Sequence, residues 1–350
     1  MTKVNRREFM GVLPSLGALA GWAPPSKKKA TGAHNALAGV ARTVQAAAFT
    51  CDVTPPVGSP LEECEPPVAT SKDLPLLAKG VVLSDGKTRY VLCSFDYCEL
   101  RTGAHDLFRR KIADAAGVNE FHVEVHCVHQ HDAPLYDVDA EKVMTLVDSP
   151  PHICDLPFLE AASDRVALAV RDAFENIQPF THVGTGKAKV DQFASNRRVP
   201  MPDGSIGVRY SSCKDPVLIA APEGLVDPWL RTITLFNGDQ PLARLHYYAS
   251  HPQSYYGKGH MNPDMPGLAR ERLEKEEGVP QIYFTGCGGN VAAGKYNNGS
   301  PEARIELAGR LYAGMKESIA ATERGAVSGI GWKMTKVEFA RRAEPEFSES

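Results

Sequence analysis

Apolar residues recur along the chain with two periods. Residues 47–53 are mostly apolar and run into Pro55-Pro56-Val57-Gly58, a short strand and its turn. Residues 76–83 and 90–95 form two apolar runs around Asp85-Gly86, which predicts a hairpin. Ala104, Leu107, Phe108, Ile112 and Ala115 share one face of a helix over 102–116, stopped at Gly117. Residues 121–127 alternate again as a strand. Residues 136–151 are polar and acidic and read as a loop. Phe158, Ala162, Val166, Val170 and Phe174 then recur every four residues, a helix over 157–177, followed by a strand over 182–190. Residues 230–236 and 242–249 flank Asn237-Gly238, a strong hairpin signal. A helix with Asp264 as N-cap runs to about Lys275, a strand covers 281–285, and Ser300-Pro301 opens a last helix to about Ala321. Residues after Lys333 read as the start of another strand, and no internal repeat is evident. The order of strand, hairpin strand, helix and strand predicts an α/β fold: a layered mixed β-sheet domain with flanking helices.

Composition narrows the class. The chain has 350 residues, 43% hydrophobic and 23% charged, with a net charge of −3. That is enough for a large core and leaves no basic footprint for nucleic acid. No apolar run reaches the length of a membrane span. The beginning of the chain reads differently. Asn5-Arg6-Arg7-Glu8-Phe9-Met10 precedes a short apolar stretch, which predicts a twin-arginine signal peptide over 1–24. Residues 25–46 read as linker and 47–350 as the catalytic domain. Export machinery is then a partner, and the destination is periplasmic or extracellular. The eight cysteines fit neither a disulfide scaffold nor a zinc ribbon and read mostly as small buried hydrophobes. An oxidising destination permits a pair such as Cys51 with Cys64.

Candidate chemistry gathers at strand ends. His129-Gln130-His131-Asp132-Ala133-Pro134 closes the 121–127 strand. In extended backbone the i and i+2 imidazoles would point the same way. His251-Pro252 ends the second strand of the later hairpin in the same manner. Gly286-Cys287-Gly288-Gly289-Asn290 is a glycine-rich loop whose N–H groups could hold an oxyanion. Asn196-Arg197-Arg198 is a basic loop. Asp96, at another strand end, would either cap a turn or orient a ligand histidine.

Several of these stretches, in order, resemble the neutral/alkaline non-lysosomal ceramidases. Asp52-Val53-Thr54-Pro55-Pro56 is like the family's opening strand and turn. Val128 to Pro134 resembles its Thr-His-x-His-Ser-x-Pro segment, and Asn196-Arg197-Arg198 its Asn-Arg-Ser/Arg loop. Tyr248 to Ser254 is similar to Phe-Ala-x-His-Pro-Thr-Ser, and Asn262-Pro263-Asp264 with Gly267 and Ala269 to Ser-Asp-Asn-x-Gly-x-Ala. The resemblance implies a zinc hydrolase cleaving an amide or ester with metal-activated water. His129 and His251 would ligate Zn2+. His131 would assist the reaction at its centre, and Arg197 or Arg198 would bind a substrate oxygen. The chain departs from the family in three places. The family's later Glu and Tyr ligands have no counterpart, since Glu344 and Glu346 lie in a polar tail, which suggests a chain truncated at its C-terminus. The family's active-site serine is replaced by Ala292, and an aspartate by Asn290. The Gly-Pro-Gly-Gly after the histidine pair is replaced by Ala133-Pro134-Leu135-Tyr136. These departures, with Gln253, Tyr255, Tyr256 and His260 near the second histidine, leave two other readings open. One is a related hydrolase for a carbohydrate-linked substrate, the other a binding protein that keeps the fold without turnover. The substrate is accordingly a small molecule, a lipid or a glycoconjugate.

Overall fold

A computed structural model describes residues 43–62 and 68–340. The signal peptide, most of the linker, Cys64 with its pairing to Cys51, and Glu344 and Glu346 lie outside the described residues.

Two five-stranded sheets form the centre. In the first, strands Gln45–Asp52 (β1), Leu77–Ser84 (β2) and Arg89–Phe95 (β3) are antiparallel neighbours. Helix Thr102–Ala116 (α1) then crosses over to Val123–Cys127 (β4), which lies parallel to β3. Helix Leu156–Glu175 (α2) follows, and a two-residue strand, Gln178–Pro179, closes the edge beyond β1. The second sheet repeats this plan. Strands His182–Lys189 (β5), Trp229–Asn237 (β6) and Gln240–Tyr248 (β7) are antiparallel. Helix Asp264–Glu277 (α3) crosses to Gln281–Thr285 (β8), parallel to β7. Helix Pro301–Ala320 (α4) follows, and Glu323–Ala326 (β9) closes the edge beyond β5. The architecture is therefore the mixed α/β arrangement that the pattern predicts, with the same topology used twice.

The two sheets pack face to face. Ala46 and Val81 of the first meet Leu235, Leu245, Ile282 and Phe284 of the second. On the outer face of the first sheet, Val91, Cys93 and Phe95 pack on Phe108 and Ile112 of α1 and Val166 and Val170 of α2. On the outer face of the second, Leu230, Tyr248 and Tyr283 pack on Met265 and Leu273 of α3 and Leu311 and Met315 of α4. Each sheet thus carries a helical pair on one side and its twin on the other, four layers in all.

Local chemistry sets the boundaries. Asp155 caps α2 by accepting from the Phe158 N–H at 3.0 Å, and Ser300 caps α4 from Ala303 at 3.2 Å. Gly117 ends α1 in the left-handed region. Four expectations need correction. The β6–β7 turn is Gly238-Asp239 rather than Asn237-Gly238, because β6 carries a register shift at Leu235/Phe236 and runs to Asn237. Residues 136–151 are not all loop: Asp137 accepts from the Ala140 N–H at 2.9 Å and starts a helix, Val138–Met144. Asp264 is the first helical residue of α3, not its cap, and its side chain turns inward. Residues 327–340 pair with no strand among the described residues. Instead Trp332 stacks on Tyr90 with ring centroids 5.4 Å apart and donates to the Phe121 carbonyl at 2.6 Å.

Candidate functional site

The parallel pairs β3/β4 and β7/β8 place four strand ends together, and the candidate chemistry lies there. The β3–β4 ladder continues past the strand, with His129 N donating to the Tyr97 carbonyl at 3.0 Å. Thr285, the last residue of β8, ties the two sheets at this point. Its hydroxyl donates to the Val128 carbonyl at 2.6 Å, and its N–H donates to His126 Nε2 at 3.0 Å. The chain then turns sharply. His129 has φ of 74° and Asp132 of 57°, both in the left-handed region that favours glycine. Asp132 anchors the turn by accepting from the backbone N–H groups of Lys258 at 2.9 Å and Gly259 at 3.1 Å. The two imidazoles do converge, but through this turn and not by extended spacing.

His251 meets them from the other sheet. The rings of His129 and His251 have centroids 4.5 Å apart, those of His131 and His251 5.2 Å, and those of His129 and His131 5.5 Å. His131 Nε2 lies 3.0 Å from His251 Nε2. On the far side of His129, Nδ1 lies 2.9 Å from the Cys98 carbonyl oxygen and 3.6 Å from Cys98 Sγ. Ligand atoms of Cys98, His129 and His131 all fall within 4.8 Å of one another, close enough to share a metal ion. Sequence reasoning missed Cys98, taking it for a small hydrophobe. Its place just beyond β3, the strand that neighbours the histidine strand, was the available signal.

The electrostatics favour neutral imidazole. Burial lowers His131 to about 4, helped by the nearby His129 and Arg197 and opposed by Asp132 and Glu99. Burial lowers His251 to about 2, reinforced by Arg197 and the other two histidines and opposed by a backbone hydrogen bond with Gly288. Neutral imidazole is the metal-binding form.

The basic loop reaches the site by Arg197. Its Nη2 donates to Ser211 Oγ at 2.6 Å and to Gln253 Oε1 at 3.0 Å. Arg198 is exposed and donates to Asn290 Oδ1 at 2.8 Å on the glycine-rich loop. That loop passes so close to His251 that a Cβ on Gly288 would lie 2.9 Å from the His251 nitrogen, so only glycine fits there. Ala292 is buried beside the site, bridged to His251 in parallel register. It offers no hydroxyl where the resemblance expects a serine. Of the other side chains near the second histidine, Tyr256 stands with its ring 5.9 Å from His131. His260 instead faces Asp73 at 4.0 Å.

Asp96 does not orient a histidine. It accepts two hydrogen bonds from Arg270 of α3, at 2.8 and 2.6 Å, and one from the Leu77 N–H at 2.9 Å. Both side chains of this ion pair are buried, and it locks α3 of one half to the β2 and β3 ends of the other.

No protein-family model and no curated protein matches the chain. Solved structures do match, two ceramidases among them. The neutral ceramidase from Pseudomonas aeruginosa aligns over 79% of this chain with a TM-score of 0.61 and 15% identity. A ceramidase complexed with C2 aligns with the same three values. The fold is that of the neutral ceramidases. At this identity the likeness is one of backbone architecture. This chain spans 45% and 44% of the length of those two proteins, so it matches less than half of either. No described helix is long and apolar enough to cross a membrane.

Proposed function

We propose that the chain is an exported, metal-dependent hydrolase of ceramidase-like fold that cleaves an amide or ester bond. The observation that carries this reading is the meeting of His129 from one sheet with His251 from the other, their ring centroids 4.5 Å apart, with His131 beside them. The donor set suits zinc: neutral imidazoles, with a thiol at hand. His129 and His251 would hold the ion, and Cys98 offers a donor within 4.8 Å of that of His129. His129 Nδ1 faces the Cys98 carbonyl and His251 bonds the Gly288 backbone. A backbone partner on one ring nitrogen commonly orients a metal-binding histidine. Zinc there supplies Lewis-acid polarisation and a water nucleophile near neutral pH.

The remaining roles belong to the chain's own groups. His131 lies beside His251 and would hydrogen-bond the substrate oxygen as it gains charge. Arg197 keeps a fixed positive charge near both histidines, and Arg198 is free to swing from Asn290 toward a substrate oxygen. Ala292 removes the hydroxyl that the resemblance would place nearby, so the serine role that it implies does not carry over to this position. The same residue favours a second reading, a binding protein without turnover. The Arg6-Arg7 motif supports export to the periplasm or beyond.

The test is metal analysis of purified protein together with a substrate panel. About one zinc per chain is expected, lost in the His129→Ala/His251→Ala double variant; zinc retained by that variant would overturn the metal assignment. Turnover of N-acyl lipids or esters supports the hydrolase, turnover of glycosides alone shifts the substrate class, and zinc without any turnover supports the binding protein.

A further inference from the structure

Two roles compete for His131. With Cys98 and His129 it could be a metal ligand, or it could be a hydrogen-bond donor beside the ion. A ligand needs a bare Nε2, a donor a protonated one, and in a neutral ring the state of Nε2 follows from Nδ1. Nδ1 is held by Gln253, a residue only 4% exposed. The orientation of the Gln253 amide is fixed from behind. Arg197 Nη2 lies 3.0 Å from one end of it, and a guanidinium can only donate, so that end is the carbonyl oxygen. Ser211 Oγ lies 2.5 Å from the same oxygen. The amide nitrogen therefore faces His131 Nδ1, at 3.1 Å. An amide N–H only donates, so Nδ1 accepts and the ring proton sits on Nε2.

We infer that Gln253, clamped by Arg197 and Ser211, is a positioning residue that fixes His131 with its proton on Nε2, as a hydrogen-bond donor and not a metal ligand. The 3.0 Å contact to His251 Nε2 agrees: one of two facing nitrogens must carry the proton, and a protonated His131 Nε2 supplies it. The donor's use toward a substrate oxygen rests on the hydrolase reading, but the proton position does not. Arg197 thereby acts on His131 through Gln253, a use of the basic loop separate from substrate binding.

The test is nitrogen-15 NMR on the full chain with labelled histidine, in which two-bond proton couplings distinguish the two ring tautomers. The His131 signal is assigned by its loss in His131→Gln. The wild type should show Nδ1 bare and Nε2 protonated. Gln253→Glu keeps an oxygen for Arg197 and Ser211 but turns the other arm into an acceptor, so Nδ1 should become protonated. Gln253→Met serves as a second variant if the charge prevents folding, and should give mixed tautomers. A proton on Nδ1 in the wild type, or an unchanged His131 in whichever variant folds, would overturn the inference. Zinc measured on the same samples separates the two proposals. Absent zinc with the expected tautomer sinks only the metal reading, and bound zinc with the opposite tautomer sinks only this one.

Discussion

The two halves share one topology and differ in what fills it. Behind the first sheet, the surface that faces α1 and α2 is apolar: Ala78, Val82, Val91, Cys93, Phe95, Val123 and Val125. Behind the second, the matching surface carries a buried polar chain. Ser318 of α4 bonds Thr232, whose hydroxyl lies 2.9 Å from His246 Nδ1. His246 Nε2 lies 2.7 Å from Gln281 Oε1, and Gln281 Nε2 donates to Glu277 at 3.2 Å. Glu277 accepts from Arg244 at 2.7 Å, and Arg244 donates to Thr234 at 3.1 Å. The sheet face of one layer is held by apolar packing, that of the other by a connected set in which each member's orientation depends on the next. A common backbone plan therefore does not require a common core, and the repeat leaves no trace in residue patterns.

The largest expected effect breaks the union of the halves. Arg270→Ala would leave Asp96 charged and buried without its partner, which costs roughly 3–5 kcal/mol. Urea unfolding should show that loss, and a change under 1 kcal/mol would mean that the halves are joined mainly by the apolar sheet interface.

A second experiment uses pH to probe the polar chain of the second half. Burial lowers His246 to about 4 from an ordinary 6.5, with Arg244 adding to it and the Gln281 hydrogen bond opposing. The folded state therefore keeps this ring neutral where the unfolded chain protonates it. Its contribution is fully present above about pH 6.5 and is lost as pH falls toward 4, ~3 kcal/mol in all. His246→Gln should flatten that part of the stability-versus-pH curve, measured by urea unfolding at pH 7 and 4.5. An unchanged slope would assign the acid sensitivity to other groups.

The smallest effect sharpens the contrast. Ile112→Val in the apolar half should cost ~1 kcal/mol by loss of one buried methylene. That loss should be equal at both pH values, because the cluster that holds Ile112 contains no histidine or carboxylate. A loss that grows at pH 4.5 would show that the two cores are coupled.

Most of the scaffold was legible from the sequence because strands and helices leave periodic marks. Phe158 to Phe174 gave α2, and the alternation before Val128 gave β4. Turns were less so: Asn237-Gly238 marks the correct hairpin, yet the bulge at Leu235/Phe236 moves the turn by one residue, a tertiary effect with no local signature. At the site, His129, His131, Arg197 and His251 were singled out from strand ends and from the resemblance, and the structure brings all four together. Arg198 lies at the rim instead. Cys98 was passed over because a buried cysteine and a metal-binding one look alike until a histidine is seen beside it. Asp96 was misplaced for the opposite reason. Its position at a strand end suits a site, but its partner, Arg270, is 174 residues away.

The backbone at His129 has one more consequence. Its φ of 74° is a conformation that glycine adopts freely and that costs other residues about 1–2 kcal/mol. Judged by backbone strain alone, glycine is the better residue at this position. An imidazole there holds strain at the candidate centre, and a variant search scored on backbone strain alone would replace it.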